Sequence, residues 1–262
     1  MIKVENLTVQ VKDQEKRSII KGINASLVGN NVVIGPNGSG KTTFIKALLG
    51  LVNFTGKIYV SDVKGSDEGK YLTTNLIDVY KLLDVKMSEI IDIYSKSLGS
   101  DRQQIIKLLD TFRLKYILNR KITRLSTGES KLFGLAMSVG LSGVFTALDE
   151  PFENLDMARK QSAISIINGL DREFLLVTHD IQVLKKLKFN SIYLMINGSL
   201  VGPIPSENLD ELYISKTTCD DEILSFDAMG TRFYVNKGKG EYPLMSFNSM
   251  NEIIGPAGGE ST

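Results

Sequence analysis

One cysteine, Cys219, and one histidine, His179, occur in 262 residues. A single cysteine excludes an intramolecular disulfide and fits a reducing compartment. Charge of one sign is also lacking: 31 Lys and Arg stand against 30 Asp and Glu, a net charge of +1. No strong global field therefore draws nucleic acid or anionic lipid to the chain. The local basic cluster Lys185-Lys186-Leu187-Lys188 reads as the solvated face of a helix. A long hydrophobic run is missing too. The uncharged, mostly apolar stretch Leu132–Leu148 is short of the roughly 20 apolar residues a membrane span needs, and it contains Gly134, Gly140, Ser142 and Gly143. It reads as a buried helix, a turn and a buried strand. Met1–Asn6 holds no apolar signal core, so no secretory leader is expected. Repeats and low-complexity tracts are absent. What is present is an ordinary globular composition, 42% apolar and 23% charged, long enough for a full α/β core with a small appendage.

The chain is punctuated clearly. Ile2–Val11 and Ser18–Leu27 alternate like strands around a charged turn, and Gly56–Val60 reads as another strand. Asp62–Lys70 reads as a polar loop. From Leu76 to about Tyr116 the apolar spacing becomes helical, with Ser100-Asp101 as an N-cap signal, which predicts a helical subdomain over about 76–121. After it come a buried strand (Ser142–Leu148), a helix (Ala158–Leu170), a strand (Glu173–Val177), a helix (Ile181–Leu187) and a strand (Ser191–Ile196) before an Asn197-Gly198 turn. This alternation predicts a mostly parallel sheet covered on both faces. Past Pro203 and Pro205 the character changes. Thr231–Val235 and Glu241–Phe247 predict a hairpin, and the tail from Gly255 is small and polar.

Residues 35–42, Gly-Pro-Asn-Gly-Ser-Gly-Lys-Thr, form a phosphate-binding pattern, G-x-x-x-x-G-K-[ST]. A triphosphate concentrates several negative charges in a small volume. Within the loop Gly35-Pro36-Asn37-Gly38-Ser39-Gly40, Gly35, Gly38 and Gly40 allow backbone angles closed to other residues, so that their amides, and those that open the next helix, can turn toward an anion with no Cβ in the way. Lys41 brings a mobile charge to the β/γ-phosphates, Thr42 a hydroxyl for Mg²⁺, and Thr43 a hydroxyl for the α-phosphate. The β-branched Val32-Val33-Ile34 before the loop and the amphipathic Phe44–Leu49 after it, stopped by Gly50, supply the strand–loop–helix setting the pattern requires.

Two further segments carry chemistry. Phe145–Leu148 is an apolar strand that ends in Asp149 and Glu150. Asp149 suits Mg²⁺, and Glu150, one residue further out, suits a base that orients and deprotonates water. Leu125-Ser126-Thr127-Gly128-Glu129 is a helix start, with Ser126 as N-cap and Glu129 completing a capping box.

The order of these motifs, followed by Asn154-Leu155-Asp156 and Thr178-His179-Asp180, strongly resembles the ATP-binding cassette (ABC) ATPase family over roughly residues 1–205. Leu125–Glu129 resembles the family signature, Glu153–Asp156 its D-loop and His179 its switch histidine. The resemblance implies a P-loop NTPase (RecA-like) α/β core, an N-terminal antiparallel β region, an inserted helical subdomain and a small C-terminal extension over 206–262. It implies a dimer, with the same chain or a second ABC ATPase subunit, that buries two ATP molecules with Mg²⁺. Ser126 and Gly128 would contact the γ-phosphate in trans, Asp156 would link the sites, Glu150 would polarise water, and His179 would orient the attack. It further implies a cytoplasmic subunit, peripheral at the inner membrane face, that works with an integral membrane transporter subunit and not with nucleic acid. A compact cassette with a short extension is similar to the ATPases of energy-coupling-factor importers for metal ions or vitamins.

Three positions depart from the family pattern. Thr73-Thr74-Asn75 stands where the family carries a Gln that touches Mg²⁺, which leaves Asn75 or Thr74 to supply a shorter group. The first strand ends Val9-Gln10-Val11, without the aromatic that stacks on adenine. The signature carries Thr127 and Glu129, and Glu129 is expected to turn back onto its helix start. The alternatives are a soluble ABC ATPase of repair, translation or cofactor assembly, and a nucleotide-binding module with weak hydrolysis. Repair-type members need long coiled coils, which no sustained heptads here support; translation-type members usually carry two cassettes per chain.

Overall fold

The computed structural model describes residues 1–10, 17–60, 72–217, 221–228 and 230–254. Val11, most of the charged turn, the loop expected over 62–70, Cys219 and the tail from Gly255 lie outside the described residues. Along the chain run β1 (Ile2–Gln10), β2 (Ser18–Leu27), β3 (Asn31–Ile34), α1 (Lys41–Leu48), β4 (Thr55–Val60), β5 (Leu72–Thr74), α2 (Ile77–Tyr80), α3 (Met87–Ser97), α4 (Arg102–Thr111), α5 (Thr127–Gly140), β6 (Phe145–Asp149), α6 (Met157–Asn168), β7 (Glu173–Thr178), β8 (Ser191–Ile196), β9 (Ser199–Pro205), β10 (Leu212–Ser215), β11 (Glu222–Ala228), β12 (Thr231–Lys237), β13 (Tyr242–Pro243) and α7 (Met250–Ile254). The chain divides into two compact units, Ser61–Leu176 with Met1, and Ile2–Val60 with Val177–Thr262. No helix among the described residues is long and apolar enough to cross a membrane.

In the first unit β5 and β6 pair in parallel, Leu72 opposite Phe145 and Thr74 opposite Ala147. Every residue of β6 is buried, as a strand covered on both faces must be. The helical segment forms as the periodicity predicts. Asp101 caps α4 by accepting from the Gln103 amide at 2.8 Å, and Ile90, Ile91, Ile105 and Leu109 are fully buried. Helix α5 packs so closely that two of its positions tolerate no side chain. A Cβ on Gly134 would lie 2.3 Å from the Asn75 carbonyl oxygen, and one on Gly140 would lie 2.5 Å from Ile105. Arg172 stitches the end of α5 to β6: its Nη2 donates to the Ser138 and Val139 carbonyls at 2.7 and 2.9 Å, and its Nε to Thr146 Oγ1 at 2.7 Å. Helix C-terminal carbonyls lack intrahelical partners, so a cation there is favourable.

In the second unit β1 lies between β2 and β4, antiparallel to both. β3 runs parallel to β8, and β8 turns through Asn197-Gly198 into antiparallel β9. Asn197 and Gly198 both have positive φ, 50° and 81°, the pattern of a tight two-residue hairpin. That turn is a fixed point: Gly198 donates to the Ser39 carbonyl and accepts from the Lys21 amide, each at 3.0 Å. A Cβ on Gly198 would sit 2.0 Å from the Ile19 oxygen.

Two expectations are corrected here. The hairpin predicted from Thr231–Val235 and Glu241–Phe247 does not form. β12 instead pairs with β11 and β10, in a sheet ordered β11-β12-β10-β13. Pro243 has no amide to donate, and the second predicted strand shrinks to the two residues of β13, which pair with β10. Ile181–Leu187 is not a helix but a short 3-10 turn over Leu184–Lys186. Its apolar residues are buried, yet the amides bond three residues back, and Ile181 donates outward to Asn248.

Candidate nucleotide site

The phosphate loop begins where the fully buried β3 ends. Gly35 leaves no room for a side chain: its Cβ would lie 2.2 Å from the Met195 oxygen. Gly38 and Gly40 adopt φ of 78° and 107°, and nothing lies within 4 Å of where a Gly38 Cβ would point. The positive end of α1 therefore opens onto uncluttered space, the condition for anion binding at a helix start. Lys41 is only 5% exposed. Its ammonium donates to the Gly35 and Pro36 carbonyls at 2.8 and 3.0 Å. Ser39 is 4% exposed, and its hydroxyl has no hydrogen-bond partner. A buried hydroxyl without a partner is costly unless something answers it, and with the cationic Lys41 two residues on, the loop fits a phosphate chain. Thr42 is exposed and Thr43 half-buried on the first turn of α1.

His179 belongs to the same unit. It follows Thr178, the last residue of β7, whose carbonyl accepts from the Gly35 amide at 3.3 Å. The strand that delivers the histidine is thus bonded to the first residue of the loop.

The other predicted site residues stand in the first unit. Asp149 is 8% exposed, and Glu150 follows it with φ 42°, a left-handed conformation strained for this residue type. Such strain collects where the fold fixes a reacting side chain. Asn75 is buried. Its Oδ1 accepts from the Asp149 amide at 2.7 Å, and its Nδ2 donates to the Asp149 carbonyl at 2.9 Å. The Asn75 amide is thus committed to the Asp149 main chain rather than held out toward a metal ion. Thr74 is engaged as well: its Oγ1 accepts from the Leu76 amide at 3.2 Å, and its carbonyl accepts from the buried Tyr80 hydroxyl at 2.7 Å. Burial pushes the Tyr80 phenol well above its usual value, so it stays a donor.

Ser126 and Glu129 close a reciprocal capping box at the start of α5. Glu129 Oε2 accepts from the Ser126 amide at 2.7 Å, and Ser126 Oγ accepts from the Glu129 amide at 3.3 Å. The second carboxylate oxygen accepts from the Tyr116 hydroxyl at 2.6 Å and lies 3.6 Å from Arg120, which stacks over the Tyr116 ring. The Tyr116 hydroxyl, then the Ser126 amide, hold the Glu129 carboxyl below the usual carboxylate range. Glu129 therefore turns back onto its own helix, as expected, but Tyr116 and Arg120 escaped the sequence reading, because nothing local links them to it. Gly128 lies against the Asn154 carbonyl, and Lys131 pairs with Glu153 at 3.2 Å. Signature and D-loop are therefore brought together. Asp156 caps α6, accepting from the Arg159 amide at 2.9 Å. A cavity of about 280 Å³, lined by Asn75, Asp78, Lys81, Thr127, Lys131 and Asp149 among others, opens beside the acid pair. Thr42 and Asp149 fall in different units. Among the described residues no three His, Cys, Asp or Glu side chains cluster as a metal site. The hydroxyl of Thr42 and the carboxylate of Asp149 are hard oxygen donors of the kind Mg²⁺ takes alongside substrate phosphates.

A phosphate loop at a strand–helix junction, within a mixed α/β fold that also carries a strand ending in paired acids, defines a P-loop nucleoside triphosphatase. Residues 23–153 match the ABC transporter family, and the chain belongs to that family as an ATP-binding, ATP-hydrolysing subunit. It is 27% identical to an energy-coupling factor transporter ATP-binding protein of Thermotoga maritima, over 70% of this chain and 74% of that protein. It is 28% identical to a lantibiotic transport ATP-binding protein of Streptococcus pyogenes, over 81% and 96%. A solved structure assigned as a cobalt transport ATP-binding protein superposes with a TM-score of 0.86 at 31% identity, covering 97% of this chain and 99% of that one.

Proposed function

We propose that this subunit dimerises around ATP and powers the transport of a metal ion or vitamin through separate membrane subunits, from the cytoplasmic face of the membrane. The observation that carries the reading is the phosphate loop, with its buried Lys41 ammonium and unpaired Ser39 hydroxyl. The cargo class rests on likeness to a cobalt-transport cassette and an energy-coupling factor ATPase. The cassette would span 1–205, with the helical segment over about 76–121 as the docking region for the membrane subunit and 206–262 as an extension.

The residues divide the work by their chemistry. The loop from Gly35 through Pro36, Asn37, Gly38, Ser39 and Gly40 cradles phosphate, with Lys41 and Thr43 adding charge and a hydroxyl. Thr42 and Asp149 would hold Mg²⁺, which neutralises phosphate charge when bound. Glu150 deprotonates water and His179 orients the γ-phosphate. Ser126 and Gly128 complete the site of a second copy, or of a related ATPase subunit, and Asp156 communicates across that interface. Asn75 acts on Asp149 by holding its main chain.

The test is reconstitution in vesicles with a candidate membrane subunit, such as a multi-span protein encoded by a neighbouring gene. ATP-driven uptake of Co²⁺ or Ni²⁺, lost in Lys41→Ala, is the expected result. ATP hydrolysis that no membrane subunit stimulates would favour a soluble ABC ATPase instead.

A further inference from the structure

The last described segment reaches the phosphate loop. Met250 at the start of α7 is fully buried. Its amide donates to the His179 carbonyl at 2.9 Å, and the Ile181 amide donates to the Asn248 carbonyl at 3.0 Å. Gln182 Nε2 donates to the Phe247 carbonyl at 2.7 Å, and Asp180 bridges to Ser249. The segment's own turn is closed by Glu252, which accepts from the amide and side chain of Asn248 at 2.9 and 3.1 Å. From this anchored turn the Asn251 side chain extends its Oδ1 to the Asn37 amide, 2.8 Å away, inside the phosphate loop.

We infer that Asn251 is a positioning residue for ATP binding, through which 247–252 ties the phosphate loop to the segment carrying His179. This rests on the reading that the loop holds the phosphates of ATP. The bond takes an amide on the exposed side of the loop, whereas Lys41 and Ser39 lie buried beneath it. Asn251 therefore acts as a brace that fixes where the loop turns, not as a plug that fills the phosphate position. A loop with two left-handed glycines loses much conformational freedom on ordering. A partner that holds one of its amides before ATP arrives removes part of that loss from the binding step. The main-chain bonds of Asn248 and Met250 meanwhile hold Ile181 and His179, so the same six residues set both ends of the γ-phosphate machinery.

The test uses the full chain and two measurements. Amide hydrogen exchange without nucleotide reads the brace directly. Asn251→Ala should speed exchange at Asn37, and Asn251→Asp, which keeps the acceptor oxygen, should restore protection. Steady-state hydrolysis reads the consequence: Asn251→Ala should raise KM for ATP about fivefold, the loss of one hydrogen bond, with kcat within about twofold. Unchanged Asn37 exchange in Asn251→Ala overturns the inference, as does a fall in kcat at constant KM. The exchange measurement needs no ATP, so it stands apart from any failure of the nucleotide-site reading.

Discussion

Glu129 shows what one residue contributes at the start of the signature helix. Its carboxylate accepts from the Ser126 amide and the Tyr116 hydroxyl beside Arg120, so its charge is spent within its own helix start. Its folded-state pKa lies below the usual value of 4.5. The stabilisation is therefore present above that value and lost as pH falls through the lower, folded one. Glu129→Gln keeps the capping oxygen but loses the charge, and should lower stability at pH 7 by about 1 kcal/mol, the difference between a hydrogen bond to a charged group and one to a neutral group. In urea titrations the gap between variant and wild type should close as pH drops below 4.5. Glu150 is the proposed base. Its φ of 42° holds the carboxylate at the end of β6, and Glu150→Gln should cut kcat at least about 100-fold while ATP still binds. Phosphate release at saturating ATP, beside a fluorescent-nucleotide titration, checks both halves. The capping box was legible because S-x-x-E is a local rule. The Tyr116 and Arg120 contacts were not, because they depend on how the turn after α4 folds back on α5.

Elements meet where side chains are missing. Helix α5 approaches Asn75 at Gly134, and Asn75 in turn grips the Asp149 main chain. Gly134→Ala would place a methyl group 2.3 Å from the Asn75 oxygen. It should lower stability by about 2 kcal/mol through overpacking. It should also slow turnover, because Asn75 can yield only by shifting Asp149. A slower kcat at unchanged ATP affinity, together with a lower Tm, is the expected pair of results. The sequence marked Leu132–Leu148 as helix, turn and strand from its apolar run, and that is what forms. It misjudged Ile181–Leu187 and 241–247 for a common reason. In both, local apolar spacing admits several backbones, and hydrogen bonds to distant segments select one: Ile181 to Asn248 in the first case, β10 with β13 in the second.

For the whole molecule, the proposed dimer around ATP makes ATP a ligand of the associated state, so nucleotide and self-association should be linked. Glu150→Gln with ATP should elute at twice the monomer mass, and should return to monomer when ATP is removed or Ser126 is changed to Arg. Sedimentation velocity with and without ATP distinguishes this from a constitutive dimer. β1 ends at Gln10 without an aromatic side chain, so the stacking of about 1 kcal/mol that an aromatic there would give adenine is not expected. ATP and GTP should therefore bind within about tenfold of one another, which competition titration measures.

By itself the sequence determined the α/β class, the phosphate loop, the acid pair and the capped signature helix, because each is written in contiguous residues whose spacing obeys local geometry. Only the tertiary structure decided how those parts are held. Asn75 binds the Asp149 main chain across 74 positions, Tyr116 secures the signature carboxylate, and Asn251 reaches back 214 positions to the phosphate loop. Such pairings join residues that no periodicity relates, and they become definite only when packing fixes both partners within hydrogen-bonding distance.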